Sequence, residues 1–291
     1  MKYSFITQHK NTYPIRLMCQ VLGVRRSCYY SYIKSNSRKV DPEHEQMLDW
    51  IVKIDEGSKN RYGSRRMKRA LNALGYPVSR TKARKLMREA GVIVRHRKKY
   101  KATTDSNHKK PVYENVLNRD FKRDELDEAY VGDITYIWTQ EGWLYLAVVI
   151  DLCSRKVVGW SMSSRMNSGL VCDALTMAIW NRQPKEGLIC HSDRGSQYAS
   201  TKYRKLLKSN GFIGSMSRKG NCWDNSVAES FFGTLKQELI QWRHYQSRNE
   251  AQQDILEYIV MFYNNTRLHW YLDYVSPNTF EKQMDNMKIA A

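Results

Sequence analysis

The spacing of apolar residues changes character near residue 124. Before it, apolar positions recur at helical intervals among polar ones. Arg65-Arg66-Met67-Lys68-Arg69-Ala70-Leu71 continues to Leu74 and is stopped by Gly75. Tyr76-Pro77-Val78-Ser79 then turns the chain, and Ser79 is placed to cap a second helix running through Lys82, Arg84, Lys85, Leu86, Met87 and Arg88 to Gly91. Helix, short turn with glycine, basic second helix: this is a helix-turn-helix pattern. A weaker one precedes it, where Pro14 to Val24 reads as a short helix and Arg25-Arg26-Ser27-Cys28-Tyr29-Tyr30 begins another. For that earlier pair, DNA contact and plain packing of a hairpin stay equally open. Residues 95–123 are basic and polar without periodicity, the pattern of a linker lying along a phosphate backbone.

After about residue 125 the pattern becomes one of strands alternating with helices. Ala129 to Trp138 is rich in β-branched and aromatic residues and predicts a strand. Glu141-Gly142 turns it into Trp143 to Leu152, nearly all apolar and so buried on both faces. Lys156 to Met162 is a third strand; Leu170, Ala174, Met177 and Ala178 mark a helix over 168–181. Leu188 to His191, a helix over 200–209, Phe212 to Met216 and a long helix from Ser226 to Gln241 complete the series. The order β-β-β-α-β-α-β-α predicts an α/β fold with a mixed five-stranded sheet covered by helices. The chain thus divides into a small helical region (1–40), a basic helix-turn-helix-like domain (41–94), a basic linker (95–123), a sheet-containing core (124–245), and a C-terminal helix and tail (246–291).

Charge narrows the partner. The chain holds 48 Lys+Arg against 29 Asp+Glu, a net +19, which points to a polyanion. No apolar run approaches a membrane span and the N-terminus lacks the apolar run of a signal peptide, so nucleic acid in the cytoplasm is the expected partner. Residues 56–110 alone carry 18 Lys+Arg and three acids, Glu56, Glu89 and Asp105. The candidate DNA contacts are Arg65, Arg66, Lys68, Arg69, Arg80, Lys82, Arg84, Lys85, Arg97, Lys98 and Lys99; the competing reading is a solvated basic face on an ordinary helical hairpin. The six cysteines contain no CxxC pair and the seven histidines show no metal spacing, so no zinc site and no disulfide framework is expected.

Three carboxylates stand out against this basic background. Asp133 falls mid-strand, where a lone buried carboxylate costs several kcal/mol, roughly, unless a cation compensates it. Asp193 directly follows the fourth strand in His191-Ser192-Asp193-Arg194-Gly195, where α/β proteins place ligand groups, although taken alone a turn aspartate bonding to backbone N–H groups is the favoured reading. Glu229 opens the long helix, and Ser226-x-x-Glu229 also matches a capping box. Lys236, seven residues on, returns to the same helix face, with Gly233 between them leaving that face open. Such a trio suits phosphodiester chemistry with two divalent ions, Mg²⁺ or Mn²⁺, and the sequence has no GxxxxGK phosphate loop for a nucleotide cofactor.

At these residues the chain resembles the catalytic, second-frame proteins of insertion sequences of the insertion-sequence-three family. The resemblance rests on GDITY (132–136), VVIDLCSRKVVGW (148–160), HSDRGSQY (191–198), SRKGNCWDNSVAESFFGTLKQEL (217–239) and YNNTRLHWYLDYVSP (263–277), with YGSRRM (62–67) upstream. Thirty-five residues separate Asp193 from Glu229, the D,D-35-E spacing shared with retroviral integrases. It implies an RNase H-like core, metal binding by Asp133, Asp193 and Glu229, and a DNA contact at Lys236. It implies cleavage of transposon ends and strand transfer by a 3′-OH, on double-stranded DNA of terminal inverted repeats and target, by a homo-oligomer on paired ends of a bacterial, nucleoid-associated element. It also implies an upstream-frame DNA-binding protein, separate or fused by frameshift. The chain departs from the family where a small residue usually follows Leu-His, here Trp270, and where Gly usually precedes Tyr, here Asp273. Asp151 reads as a residue fixing the second strand's turn; Trp138, Tyr198 and Trp223 are candidates for stacking on bases, with core or rim packing the favoured role for Trp138, and Trp223 even between the two. The alternatives are an integrase or nuclease on the same core, though no His-His-Cys-Cys module is present, and a non-catalytic DNA-binding accessory protein derived from a transposase.

Overall fold

The computed structural model describes residues 1–36, 41–94, 110–219 and 221–290, so Arg97, Lys98 and Lys99 lie outside the described residues. At the N-terminus, Lys2–His9 (α1), Ile15–Val21 (α2) and Arg26–Asn36 (α3) close a small core on Ile6, Met18, Cys19 and Tyr29. Next come Pro42–Gly57 (α4), Ser64–Ala73 (α5) and Arg80–Glu89 (α6). The Ser79 hydroxyl accepts from the Lys82 N–H at 3.1 Å, capping α6. The basic helices α5 and α6 are each too narrow in apolar surface to close a core alone. Met47 and Ile51 of α4 supply the third wall around Met67, Leu71, Ala83, Leu86 and Met87.

The larger unit is built on five strands: Ala129–Thr139 (β1), Gly142–Asp151 (β2), Val157–Ser163 (β3), Ile189–Ser192 (β4) and Ile213–Met216 (β5). Their order across the sheet is β3-β2-β1-β4-β5. The first three pair antiparallel through short turns, and β4 and β5 add in parallel. Parallel additions need crossovers, and these are Ser168–Arg182 (α7) and Thr201–Ser209 (α8). Both pack on one face, with Tyr130, Ala147, Val149, Leu170, Leu175 and Leu207 in their core. Gly159 lets β3 approach α7: a Cβ there would stand 2.2 Å from the carbonyl oxygen of Ala174.

Ser226–Glu238 (α9) covers the opposite face with Phe231, Phe232 and Leu235. So does the segment expected as a C-terminal helix and tail. Arg248–Glu257 (α10) runs into a π-helical turn, Tyr258–Tyr263, and Ala251, Ile255, Tyr258, Ile259 and Phe262 are buried on the same side. Pro277–Ala290 (α11) ends the described chain. The expected linker also needs correction. Residues 110–123 lie against the sheet rather than running free: Leu117 is buried in the core, its N–H bonds Ser215 Oγ at 3.1 Å, and the Tyr113 ring occupies the space beside Gly214. The apolar residues there are too few to give a periodic signal.

The α4–α6 unit docks on this second face. Tyr62 donates to the Thr266 carbonyl and accepts from the Leu268 N–H, both at 3.1 Å. Arg66, expected on DNA, turns inward instead: it reaches Glu238 at 3.1 Å and the Leu268 carbonyl at 2.9 Å. Charge density in sequence does not say which way a guanidinium points, and a buried carboxylate is the stronger partner. Arg69 likewise pairs with Asp273 at 3.3 Å and lies over the Tyr274 ring. Asp273 adopts φ 49°, the left-handed region where Gly is easiest and Asp is tolerated, so the departure from the family's Gly is accommodated.

Candidate active site

The parallel register of β1 and β4 places the first two carboxylates. Gly132 and Ser192 are the last paired residues of the two strands. Asp133 and Asp193 are the next residue of each, so they emerge side by side at the sheet end and on the same face. Asp133 Oδ1 accepts from the Ile134 N–H at 2.8 Å, and Asp193 Oδ1 from the Gly195 N–H at 2.9 Å. The turn-aspartate reading of Asp193 is therefore satisfied, by one of its two oxygens.

Glu229 comes from α9, on the face those carboxylates address. The capping box proposed for it does not form: Ser226 is already helical, and the N-cap is Asn225, which makes no side-chain cap bond. The Asn225 amide instead donates to the Gly132 carbonyl at 3.4 Å, tying the helix start to the strand residue before Asp133. Glu229 is left exposed, one turn from buried Phe232.

Electrostatics link the three. Burial first, and the Asp193 charge second, push Asp133 well above the usual carboxylate range, while Lys236 opposes the rise. Burial and then Asp193 also raise Glu229. Lys236 is itself lowered by burial, against the pull of Tyr136 and Asp133. Among the described residues the His, Cys, Asp and Glu side chains form no group of three close enough to hold an ion. The donor chemistry nevertheless fits a hard divalent cation: three carboxylates on separate elements, whose mutual repulsion a nearby positive charge would relieve.

The turn into α9 is pinned by a residue the sequence reading passed over. Asp224 is fully buried and accepts from Arg218 Nε and Nη2 at 2.9 Å, Arg119 Nε at 2.7 Å and Asn115 Nδ2 at 3.0 Å. Arg218 foremost holds its carboxyl far below the ordinary range. Arg218 lies six residues upstream, but Arg119 and Asn115 lie more than a hundred upstream, so no local pattern announces the full set. His191 is likewise structural: it bonds Ser215 at 2.8 Å, and burial lowers it to about 4, leaving a neutral bridge between β4 and β5. Asp151 is buried and accepts from the Asp127 and Ser154 N–H groups and the Ser154 hydroxyl. Tyr198 is buried against Tyr203 and offers no ring to a base, whereas Trp138 and Trp223 are open to solvent.

Of the other candidate DNA contacts, Arg65, Arg80, Lys82, Arg84 and Lys85 are exposed and Lys68 is half-buried. A cleft of about 1040 Å³ separates α6 from α9, with Arg65, Arg80, Arg84 and Arg88 on one wall and Thr234 and Gln237 on the other. No helix among the described residues is long and apolar enough to cross a membrane.

Comparison with known proteins agrees with this architecture. The family described as "Integrase core domain" matches residues 124–222 and, in a second form, 229–284; "HTH-like domain" matches residues 43–100. The chain is 42% identical to "Transposase InsF for insertion sequence IS3A" of Escherichia coli (strain K12), over 97% of this chain and 99% of that protein. It is 40% identical to "Insertion element IS600 uncharacterized 31 kDa protein" of Shigella sonnei, over 93% and 99%. Among solved structures, the catalytic core domain of BIV integrase covers 56% of this chain and 99% of its own, at 16% identity and a TM-score of 0.42. The chain belongs to the family of the IS3 InsF transposases, and it is a DNA transposase with an integrase core behind a helix-turn-helix-like domain.

Proposed function

We propose that Asp133, Asp193 and Glu229 are the catalytic carboxylates of this transposase, which cuts the ends of its element and joins the freed 3′-OH to target DNA. The observation that carries the reading is the β1–β4 register, which ends at Gly132 and Ser192 and so sets two carboxylates together opposite the helix bearing Glu229. Divalent ions, two Mg²⁺ or Mn²⁺ held by the three carboxylates, would supply activation of the attacking oxygen and charge relief at the leaving one. Lys236 holds a DNA phosphate beside Asp133, to which it is electrostatically linked. Water breaks the P–O bond to the 3′ oxygen at the element end. That 3′-OH then attacks a target phosphodiester, forming one such bond as it breaks another, so no nucleotide is consumed.

Replacing Asp193 by Asn tests the assignment. Metal-dependent cleavage of terminal-repeat DNA should fall by at least about a hundredfold, the order of effect for losing a group that stabilises the transition state, with DNA affinity retained. Intact cleavage in the variant refutes the trio. A parent protein that binds the repeats and never cuts them favours the accessory reading. Pairing two ends requires at least two chains, with the upstream-frame protein, separate or fused, as a further partner. Mass measurement on paired-end DNA checks this, one chain per pair of ends being the failing result.

A further inference from the structure

A patch of aromatic surface farther along β1 than Asp133 has no part in the reaction described above. Three and five residues beyond Asp133, Tyr136 and Trp138 lie on the other face of β1. Across the hairpin, Trp143 of β2 pairs with Trp138 in register. Its ring stands nearly perpendicular to both neighbours, 5.0 Å from Tyr136 and 4.9 Å from Trp138 between centroids. The three side chains nevertheless remain 37%, 56% and 42% exposed for Tyr136, Trp138 and Trp143. Large aromatic groups normally contribute most by being buried, at about 25 cal/mol per Å². Here they are held on a rigid two-stranded element and left open. Arg248, at the start of α10, donates to the carbonyl of Trp143 at 3.0 Å, and the rings stay exposed as given.

Charge says what the patch is suited to meet. Beyond Gly132, β1 is no longer paired with β4. The Lys236 ammonium lies 5.2 Å from the centroid of the Tyr136 ring. A surface of π faces bordered by an ammonium matches a polyanion carrying flat bases. A second copy of this chain, with its net charge of +19, is the poorer match.

We infer that Tyr136, Trp138 and Trp143 form a stacking platform for unpaired DNA bases next to the phosphate at Lys236. The inference rests on the transposase reading for the identity of the strand. A base left unpaired beside a cut phosphodiester has lost a stacking neighbour. Rings on the platform replace that stacking. They do so without sequence preference, because every base has a π face.

Equilibrium binding in EDTA, read by fluorescence anisotropy, tests the platform without any catalytic step. The probes are a blunt duplex and the same duplex with a single-stranded extension of four thymidines. The parent chain should prefer the extended duplex. The Trp138→Ala, Trp143→Ala double variant should lose about tenfold or more of its affinity for the extended duplex, with blunt-duplex affinity unchanged. Trp138→Phe, which keeps a ring, should retain most of the preference. A 2-aminopurine in the extension should be quenched by the parent and not by the double variant. Equal affinity of the parent for both probes, or a preference that survives the double substitution, overturns the platform. So does a double variant that changes only oligomeric mass, which would make the patch a contact between copies. Because no cleavage is measured, a failed carboxylate trio would leave these outcomes unaffected, and intact Asp193-dependent cleavage would not rescue a failed platform.

Discussion

Glu238 lies two residues beyond Lys236, on the same helix, and its burial is nearly complete. An isolated carboxylate there would be costly, but this one is surrounded: Arg267 reaches it at 2.9 Å, Arg66 at 3.1 Å and the Tyr258 hydroxyl at 2.8 Å. Burial pushes its carboxyl up, and Arg267, Arg66 and Tyr258 together outweigh burial to hold it below its ordinary 4.5. A folded-state value depressed in this way contributes stability above the ordinary range, lost as pH falls through the folded value. Glu238→Gln should therefore destabilise the chain at pH 7 by about 3–5 kcal/mol, the cost of breaking a buried ion pair. The gap should narrow as pH falls below about 4.5, because the parent loses there what the variant lacks throughout. Urea unfolding of both proteins from pH 7 down to 3.5 measures it; a gap independent of pH removes Glu238 as an ionised hub. None of this was legible from sequence. Glu238 reads as one more polar residue at the end of an amphipathic helix, and its partners sit 172 residues before it in Arg66 and 29 after it in Arg267.

At the scale of elements, legibility followed how local the determining interactions are. The strands β1 to β3 announce themselves through β-branched and aromatic runs separated by turns, because their pairing is by hairpins. Ser79 was readable as a cap, since the cap and the N–H it satisfies are three residues apart. The capping box at Ser226 failed for a reason outside the helix: Asn225, one residue earlier, is held by β1 and takes the N-cap position. Helix α4 was not singled out, because its stripe of Met47, Ile51 and Ile54 makes sense only against α5 and α6. The C-terminal segment was underrated similarly: the π-helical turn at Tyr258–Tyr263 buries bulky aromatics that look excessive for a tail and are ordinary for a sheet face. The candidate carboxylates are those the sequence proposes. What the sequence lacked was the register that sets Asp133 beside Asp193, a non-local fact of parallel pairing.

Across the whole molecule the excess positive charge sorts into two uses. Arg66 and Arg267 are spent inside, on Glu238, where they fix the α4–α6 unit against the α9 side of the core. Arg80, Arg84 and Arg88 stay outside, along one wall of the cleft that faces α9. That difference predicts two distinct phenotypes from one kind of substitution. Arg84→Ala should leave the melting temperature within about 1 °C, as surface changes do. It should weaken duplex binding alike for repeat and unrelated DNA, and reduce the slope of log affinity against log salt concentration by about 1, one released counterion per lost phosphate contact. Arg66→Ala should do the reverse: melting falls by several degrees, on the order of 3–5 kcal/mol for a buried carboxylate robbed of a partner, while the salt slope stays as in the parent because no phosphate contact was removed. Thermal unfolding and a salt titration of the two variants decide the matter together. An unchanged salt slope for Arg84→Ala would take DNA out of the cleft, and a changed one for Arg66→Ala would mean that its guanidinium leaves Glu238 when DNA arrives.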